Sequence, residues 1–192
     1  MSTIHMLVKE EEQQLLLQLR QPGSRRKAFE GIVARYQQPL YYHIRRMVIV
    51  HDDADDVLQN TFLKAWRYID KFRAESSLKT WLYRIATNEA LSFLNKKKKQ
   101  HYSDVEDLNN DLRHSLQNSP YIAGDEIQMR LQNAILRLPE RQRLVFNLRY
   151  FDEMKYDEMA KMLDLSVGAL KASYHHAVKK IEKYIKEDPL IT

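Results

Sequence analysis

The sequence contains no cysteine, and only four glycines and five prolines interrupt its 192 residues. The lack of cysteine excludes disulfide bonds, thiolate metal sites and cysteine nucleophiles. No glycine-rich phosphate loop is present. No window resembles a signal peptide, and no apolar run reaches the roughly 18 residues that could cross a bilayer. We therefore expect a cytoplasmic protein with no membrane contact of its own.

The residues that are abundant favour helices. Leu, Glu, Lys, Gln, Arg and Ala are plentiful, and 44% of the chain is hydrophobic, which predicts an all-α protein with substantial cores. The net charge of +5 and the isoelectric point near 9.2 indicate a polyanionic partner. Periodicity is lost between residues 100 and 123, where Asn, Asp, Ser and His dominate. We predict two small helical domains, 1–99 and 124–192, joined by a flexible linker, 100–123.

Two long helices are predicted before residue 70. Apolar residues repeat at spacings of three and four from Arg25 to about Val48, with Ser24 as a possible cap and a kink or break expected at Pro39. A second amphipathic pattern covers 54–69. Asp52 or Asp53 can cap this helix, and the acidic cluster around them suits the positive end of its dipole.

The segment from Phe72 to Lys99 combines a core stripe with polar and aromatic groups. A polar turn, 74–77, leads into a helix, and Leu78, Leu82 and Ile85 fall on its core-facing arc. We define the strand-reading edge as the residues beside that arc: Thr80, Arg84 and Asn88, with Trp81 and Tyr83 as its aromatic members. Cations, ring faces and amides suit unstacked single-stranded nucleic acid. The alternative is that the aromatic residues belong to the core and that Lys96 to Lys99 only solvate a helix end.

The most specific local pattern is a helix-turn-helix near the C-terminus. A short helix from Tyr156 to Leu163 is followed by Asp164, which tolerates a left-handed turn, and by Ser166, a good N-cap for a second helix. Lys155 is a poor cap for the first helix. In such motifs the second helix enters the major groove of DNA. An ordinary helical hairpin is the alternative.

Two stretches in this order resemble a known family. Residues 52–99 read DDADDVLQNTFLKAWRYIDKFRAESSLKTWLYRIATNEALSFLNKKKK, and residues 138–181 read LPERQRLVFNLRYFDEMKYDEMAKMLDLSVGALKASYHHAVKKI. They resemble regions 2 and 4 of bacterial extracytoplasmic-function sigma factors. The resemblance implies a transcription initiation factor that binds core RNA polymerase through the β′ clamp helices and the β flap, binds and melts promoter DNA, and is held by an anti-sigma factor.

The resemblance also implies roles for individual residues. The residues matched to polymerase binding are Asp55, Asp56, Leu58, Gln59, Asn60 and Phe62. Those matched to recognition and melting of the minus-ten promoter element are Arg73, Lys79, Thr80, Trp81, Tyr83, Arg84 and Asn88, with a base pocket in the loop 73–79. Those matched to recognition of the minus-thirty-five element are Ser166, Gly168, Lys171, Ser173, His175, His176 and Lys179.

The sequence departs from the family at several of these positions. Asn60 stands where an acidic residue is frequent, so one charge of the polymerase contact is missing. Ser173, His176 and Val178 stand where many relatives carry arginine, which weakens any expectation about the minus-thirty-five sequence. We expect no catalytic residues and no cofactor. We also expect no metal site, since the adjacent side chains of His175 and His176 diverge by about 100° around a helix.

Two other functions fit parts of the sequence. A stand-alone regulator would use the helix-turn-helix to bind an operator without polymerase. A helical adaptor would bind only protein, and its affinity for DNA would be negligible, whereas a promoter-binding factor should lose affinity steeply as salt rises.

Overall fold

A computed structural model describes residues 13–19, 21, 23–73, 75–101 and 126–187. The predicted linker, 100–123, therefore lies almost entirely outside the described residues, as does Ala74. Within the described ranges every regular element is helical, as the sequence predicts, and none of these helices is long and apolar enough to cross a membrane. The helices are α1 (13–19), α2 (Arg25–Val48), α3 (His51–Tyr68), a 3-10 turn (Ile69–Lys71), α4 (Leu78–His101), α5 (Glu126–Leu136), α6 (Glu140–Tyr150), α7 (Tyr156–Leu163) and α8 (Val167–Lys186).

Helix α2 has the predicted bounds. It continues through Pro39 without the break that was one of two expected outcomes there, and Pro39 is exposed on its outer side. Ser24 is the N-cap residue, yet its hydroxyl makes no cap bond and instead donates to Gln18 O at 2.8 Å. The buried stripe of α2 follows the apolar repeat that predicted the helix.

A tight, strained turn joins α2 to α3. Val50 N donates to Val48 O at 2.8 Å across Ile49, which is buried and has φ 67°. This i to i+2 turn is rare and unfavourable for a β-branched residue. Because α3 then begins at His51, Asp52 and Asp53 lie in its first turn instead of capping it. The capping prediction is wrong, but both carboxylates lie at the positive end of the helix dipole.

Helices α1 to α4 form the N-terminal unit, in which α2, α3 and α4 all pack against one another. Its core combines residues of α2, such as Ile44, with Leu78 and Leu82 of α4. Lys97 Nζ lies 3.1 Å from Asp53 Oδ2, so one of the four lysines ties the end of α4 to the start of α3.

Helices α5 to α8 form the C-terminal unit. Helix α8 packs against α5, α6 and α7, and the ring of Phe146 on α6 stacks on Tyr174 of α8 with centroids 5.7 Å apart. The two units also contact each other, because α4 packs on α7 and α2 packs on α6. A single hydrophobic cluster contains Leu82 of the N-terminal unit and Met159 of the C-terminal unit. The proposed division into two domains stays a prediction.

Candidate nucleic-acid interface

The start of α4 is fixed by a cap that sequence reasoning did not identify. Ser77 Oγ accepts a hydrogen bond from Thr80 N at 3.1 Å and lies 2.8 Å from Thr80 Oγ1. This is the side-chain N-cap expected of serine before a helix. The polar turn contained the signal, since Ser77 immediately precedes the first core-facing residue. The cap sets where α4 begins and therefore which residues form the strand-reading edge.

The structure divides the strand-reading edge into an exposed and a covered part. Arg84 and Asn88 are exposed, and Trp81 is half-buried with its ring 5.3 Å from that of Phe72. Thr80 and Tyr83 are only 3% and 2% exposed. The exposed aromatic surface predicted at Tyr83 is therefore wrong, because its ring packs 4.9 Å from that of His43 of α2 and the segment between α6 and α7 lies beside its hydroxyl.

Asp152 of the segment between α6 and α7 lies near the Tyr83 hydroxyl. Burial raises the pKa of the Tyr83 hydroxyl well above its usual value, and the negative charge of Asp152 raises it further. The phenol is therefore neutral at physiological pH. Lys79 Nζ, 5.5 Å from the centre of the Tyr83 ring, donates to Asp152 O at 3.1 Å.

A cavity of about 440 Å³ lies beside the loop that was predicted to hold a flipped base. Phe72, Ser76 and Ser77 line one side, and Glu158 and Lys161 of α7 line the other. Its volume falls in the range of roughly 300–1000 Å³ that small-ligand sites occupy. Arg73, which was predicted to contribute, is exposed and does not line this cavity. The carboxylate of Glu158 lies 3.5 Å from Thr80 Oγ1 at the rim.

The predicted polymerase-binding face of α3 is partly exposed. Asp55, Asp56, Gln59 and Asn60 are exposed, whereas Leu58 and Phe62 are half-buried. The ring of Phe62 meets Phe29 of α2 edge-on at 6.4 Å, so it belongs partly to the core. The face therefore presents a row of acidic and amide groups above two apolar side chains.

The helix-turn-helix has the predicted turn chemistry. Asp164 adopts φ 54° and ψ 51°, the left-handed conformation expected of it, and Ser166 Oγ accepts from Ala169 N at 3.1 Å. Lys155, at the N-cap of α7, makes no side-chain cap bond, as its residue type predicts. Glu158 Oε2 accepts from Lys155 N at 3.2 Å, which is one half of a capping box. The second helix of the motif is therefore fully capped and the first only in part.

The predicted duplex-reading residues lie on the first half of α8 and form one outward surface. Most of them are exposed, and Ser173 is half-buried; the exposed members are Ser166, Gly168, Lys171, His175, His176 and Lys179. The rings of His175 and His176 are 6.1 Å apart. No group of three or more metal-binding side chains occurs in the described part of the chain.

Four polar residues at the contact between the units were missed by sequence reasoning. His43, Arg46, Thr87 and Asp152 come together from α2, α4 and the segment after α6. His43 fitted the apolar period of α2, which indicated only that it faces inward. Its partner Asp152 is 109 residues away, and no local pattern indicates such a pair.

Two family models match the chain: Sigma-70 region 2 over residues 32–100 and Sigma-70, region 4 over residues 128–181. The ECF RNA polymerase sigma factor SigW of Bacillus subtilis is 30% identical over 83% of this chain and 90% of its own length. The RNA polymerase sigma-H factor of Pseudomonas aeruginosa is 34% identical over 94% and 97%.

Two solved structures share the fold. CnrH in complex with the cytosolic domain of CnrY is 23% identical, with a TM-score of 0.68 over 93% of this chain and 99% of that one. The sigma factor RpoE in complex with the anti-sigma factor NepR, from Bartonella quintana, is 22% identical, with a TM-score of 0.65 over 84% and 99%.

Proposed function

Since the chain belongs to the extracytoplasmic-function RNA polymerase sigma factors, which are promoter-recognising transcription initiation factors, we propose how its three surfaces share that work. The exposed acidic face of α3 binds core RNA polymerase on the β′ clamp helices. The strand-reading edge of α4 captures the minus-ten strand, and the outward surface of α8 reads the minus-thirty-five duplex. The factor acts in the cytoplasm, and the polymerase supplies the catalysis.

The observation that carries this assignment is the capped helix-turn-helix. Asp164 turns the chain and Ser166 starts α8 so that Lys171 and the two histidines project outward together. The N-terminal outward residues of such a helix meet base edges, and lysines supply phosphate contacts. Because the chain matches the family in both regions, we favour this function over a stand-alone regulator and over an adaptor that binds only protein.

The role of α4 is supported by the exposure of Arg84 and Asn88 one turn apart on the same face. Guanidinium and amide groups at this spacing can reach successive nucleotides, with Trp81 behind them as a stacking surface. An anti-sigma protein is part of the proposal, because one of the two similar structures contains a partner described as an anti-sigma factor.

The test separates melting from polymerase binding. Arg84→Ala is expected to reduce open-complex formation on a promoter, measured by permanganate reactivity of unpaired thymines, while affinity for core polymerase is unchanged. Arg26→Ala removes an exposed arginine from α2, outside the three proposed surfaces, and is the matched control for charge. Equal loss of polymerase binding and melting in Arg84→Ala would show that the residue serves the fold and would refute its assignment.

A further inference from the structure

A single carboxylate of the C-terminal unit is bound by several side chains of the N-terminal unit. Asp152 Oδ2 lies 2.7 Å from His43 Nδ1, and Asp152 Oδ1 accepts from Arg46 Nη2. The Tyr83 hydroxyl lies near this carboxylate, and the Asp152 carbonyl accepts from Lys79 Nζ at 3.1 Å. Because a carboxylate only accepts, Nδ1 of His43 carries the hydrogen in this contact.

The contact is deeply buried and laterally supported. The side chain of Asp152 is 3% exposed and that of His43 is 0% exposed. The second ring nitrogen of His43, Nε2, lies 2.9 Å from Thr87 Oγ1, which fixes the orientation of the ring. The guanidinium of Arg46 lies 4.7 Å from the ring centre of Phe151, the residue before Asp152. A buried charge with this many donors is a specific docking site and not an incidental surface pair.

The docked segment lies against one part of the strand-reading edge, and Arg84 and Asn88 stay exposed. Asp152 lies beside Tyr83, its carbonyl accepts from Lys79, and Glu158 of α7 approaches Thr80. These contacts place two carboxylates against residues that would otherwise face the phosphates and bases of a single strand. A DNA strand could not occupy this part of α4 without displacing both acidic groups, because like charges would be forced together in a buried site.

We propose that Asp152 latches the C-terminal unit over the part of the strand-reading edge at Thr80 and Tyr83, so that the free protein binds single-stranded DNA only weakly, through Arg84 and Asn88, until polymerase binding opens the latch. The proposal rests on the proposed role of α4. It assigns to Asp152, His43 and Arg46 a regulatory contact within the chain. A DNA strand bound at this part of the edge and the closed latch exclude each other. The apparent affinity for a strand is therefore reduced in proportion to the fraction of molecules that are open.

The absence of cysteine allows a direct test in the full chain. Donor and acceptor dyes on Gln37→Cys and Glu182→Cys, both exposed and in different units, report the distance between the units by Förster transfer. Asp152→Asn keeps the side-chain shape but removes the charge. It is expected to lower the transfer efficiency and to increase affinity for a labelled, random-sequence single-stranded oligonucleotide by about tenfold.

Glu153→Gln is the matched control, since it removes one negative charge from the exposed neighbour of Asp152 and makes none of the latch contacts described above. His43→Leu removes the donor to Asp152 from the N-terminal unit and should act as Asp152→Asn does. Circular dichroism checks that each variant retains its helices, and His43→Leu decides the test if Asp152→Asn does not fold.

The outcomes separate this proposal from the one on which it rests. Unchanged transfer in both latch variants would overturn the latch. A fall in transfer without a gain in strand affinity would leave the latch standing and overturn the assignment of α4 as the strand-reading surface. An equal gain in Glu153→Gln would show that net charge alone controls strand binding, which would also overturn the latch.

Discussion

Replacing Asn147 by leucine should strengthen the closed arrangement. Asn147 is on α6, is 0% exposed, and has no hydrogen-bond partner for either side-chain amide atom within the described residues. It lines a cavity of only about 10 Å³ together with Met47, Leu91 and Leu94 of the N-terminal unit. The amide therefore lies in the contact between the units, where it adds a cost to closure.

The magnitude follows from that cost. A buried polar group without a partner costs about 1–3 kcal/mol, and leucine has the same number of side-chain heavy atoms as asparagine. Asn147→Leu should raise the free energy of unfolding by about 1–3 kcal/mol in urea titrations. If the whole gain belongs to the closed form, the open fraction falls by about 5- to 150-fold. Single-strand affinity and promoter melting should fall with it.

The control for Asn147→Leu is Gln38→Leu, which makes a similar polar-to-apolar change at an exposed position of α2. It should leave the free energy of unfolding within about 0.5 kcal/mol of its original value. A decrease in stability in Asn147→Leu would refute the reasoning, because it would mean that the amide is satisfied in solution and contributes to the fold.

Three further predictions follow from single contacts. Because the pKa of Tyr83 is raised in the folded state, the unfolded chain loses this proton first as the pH rises above about 10. The free energy of unfolding should then fall by up to about 1.4 kcal/mol per pH unit. Urea titrations at alkaline pH should find a smaller slope in Tyr83→Phe. Ser166→Ala removes the bond to Ala169 N and should cost about 1 kcal/mol in thermal unfolding, and no loss would mean that another group caps α8. Lys171→Ala should reduce the salt dependence of duplex binding by about one unit of log–log slope, whereas Lys186→Ala, at the far end of α8, should not.

Local chemistry predicted much of the fold. The apolar periods of α2 and α3 located both helices, and the left-handed Asp164 and the Ser166 cap were predicted from residue type alone. These features depend on groups within a few residues of one another. The start of α3 was misjudged because buried Ile49 adopts an unfavourable backbone conformation that only its tertiary surroundings can hold.

The candidate site was predicted less completely because half of its geometry is non-local. The sequence indicated which groups α4 carries, but Tyr83 was expected at the surface because nothing near it in sequence covers it. Its ring packs on His43 of α2, 40 residues earlier in the chain, and Asp152, which meets His43 across 109 residues, lies beside its hydroxyl. Spacing along a helix determines which side chains share a face, and packing against distant segments determines whether that face is open.

The outward surface of α8 is exposed in the same structure that buries Tyr83 and Thr80. A cell contains much single-stranded nucleic acid that is not promoter, in transcripts and at replication forks. In the closed form these strands find only Arg84 and Asn88 of the edge exposed, while double-stranded promoters can still be sampled through α8. RNA and single-stranded gaps in DNA would thus compete little for the free protein. It would bind an unpaired strand tightly only after it has bound polymerase.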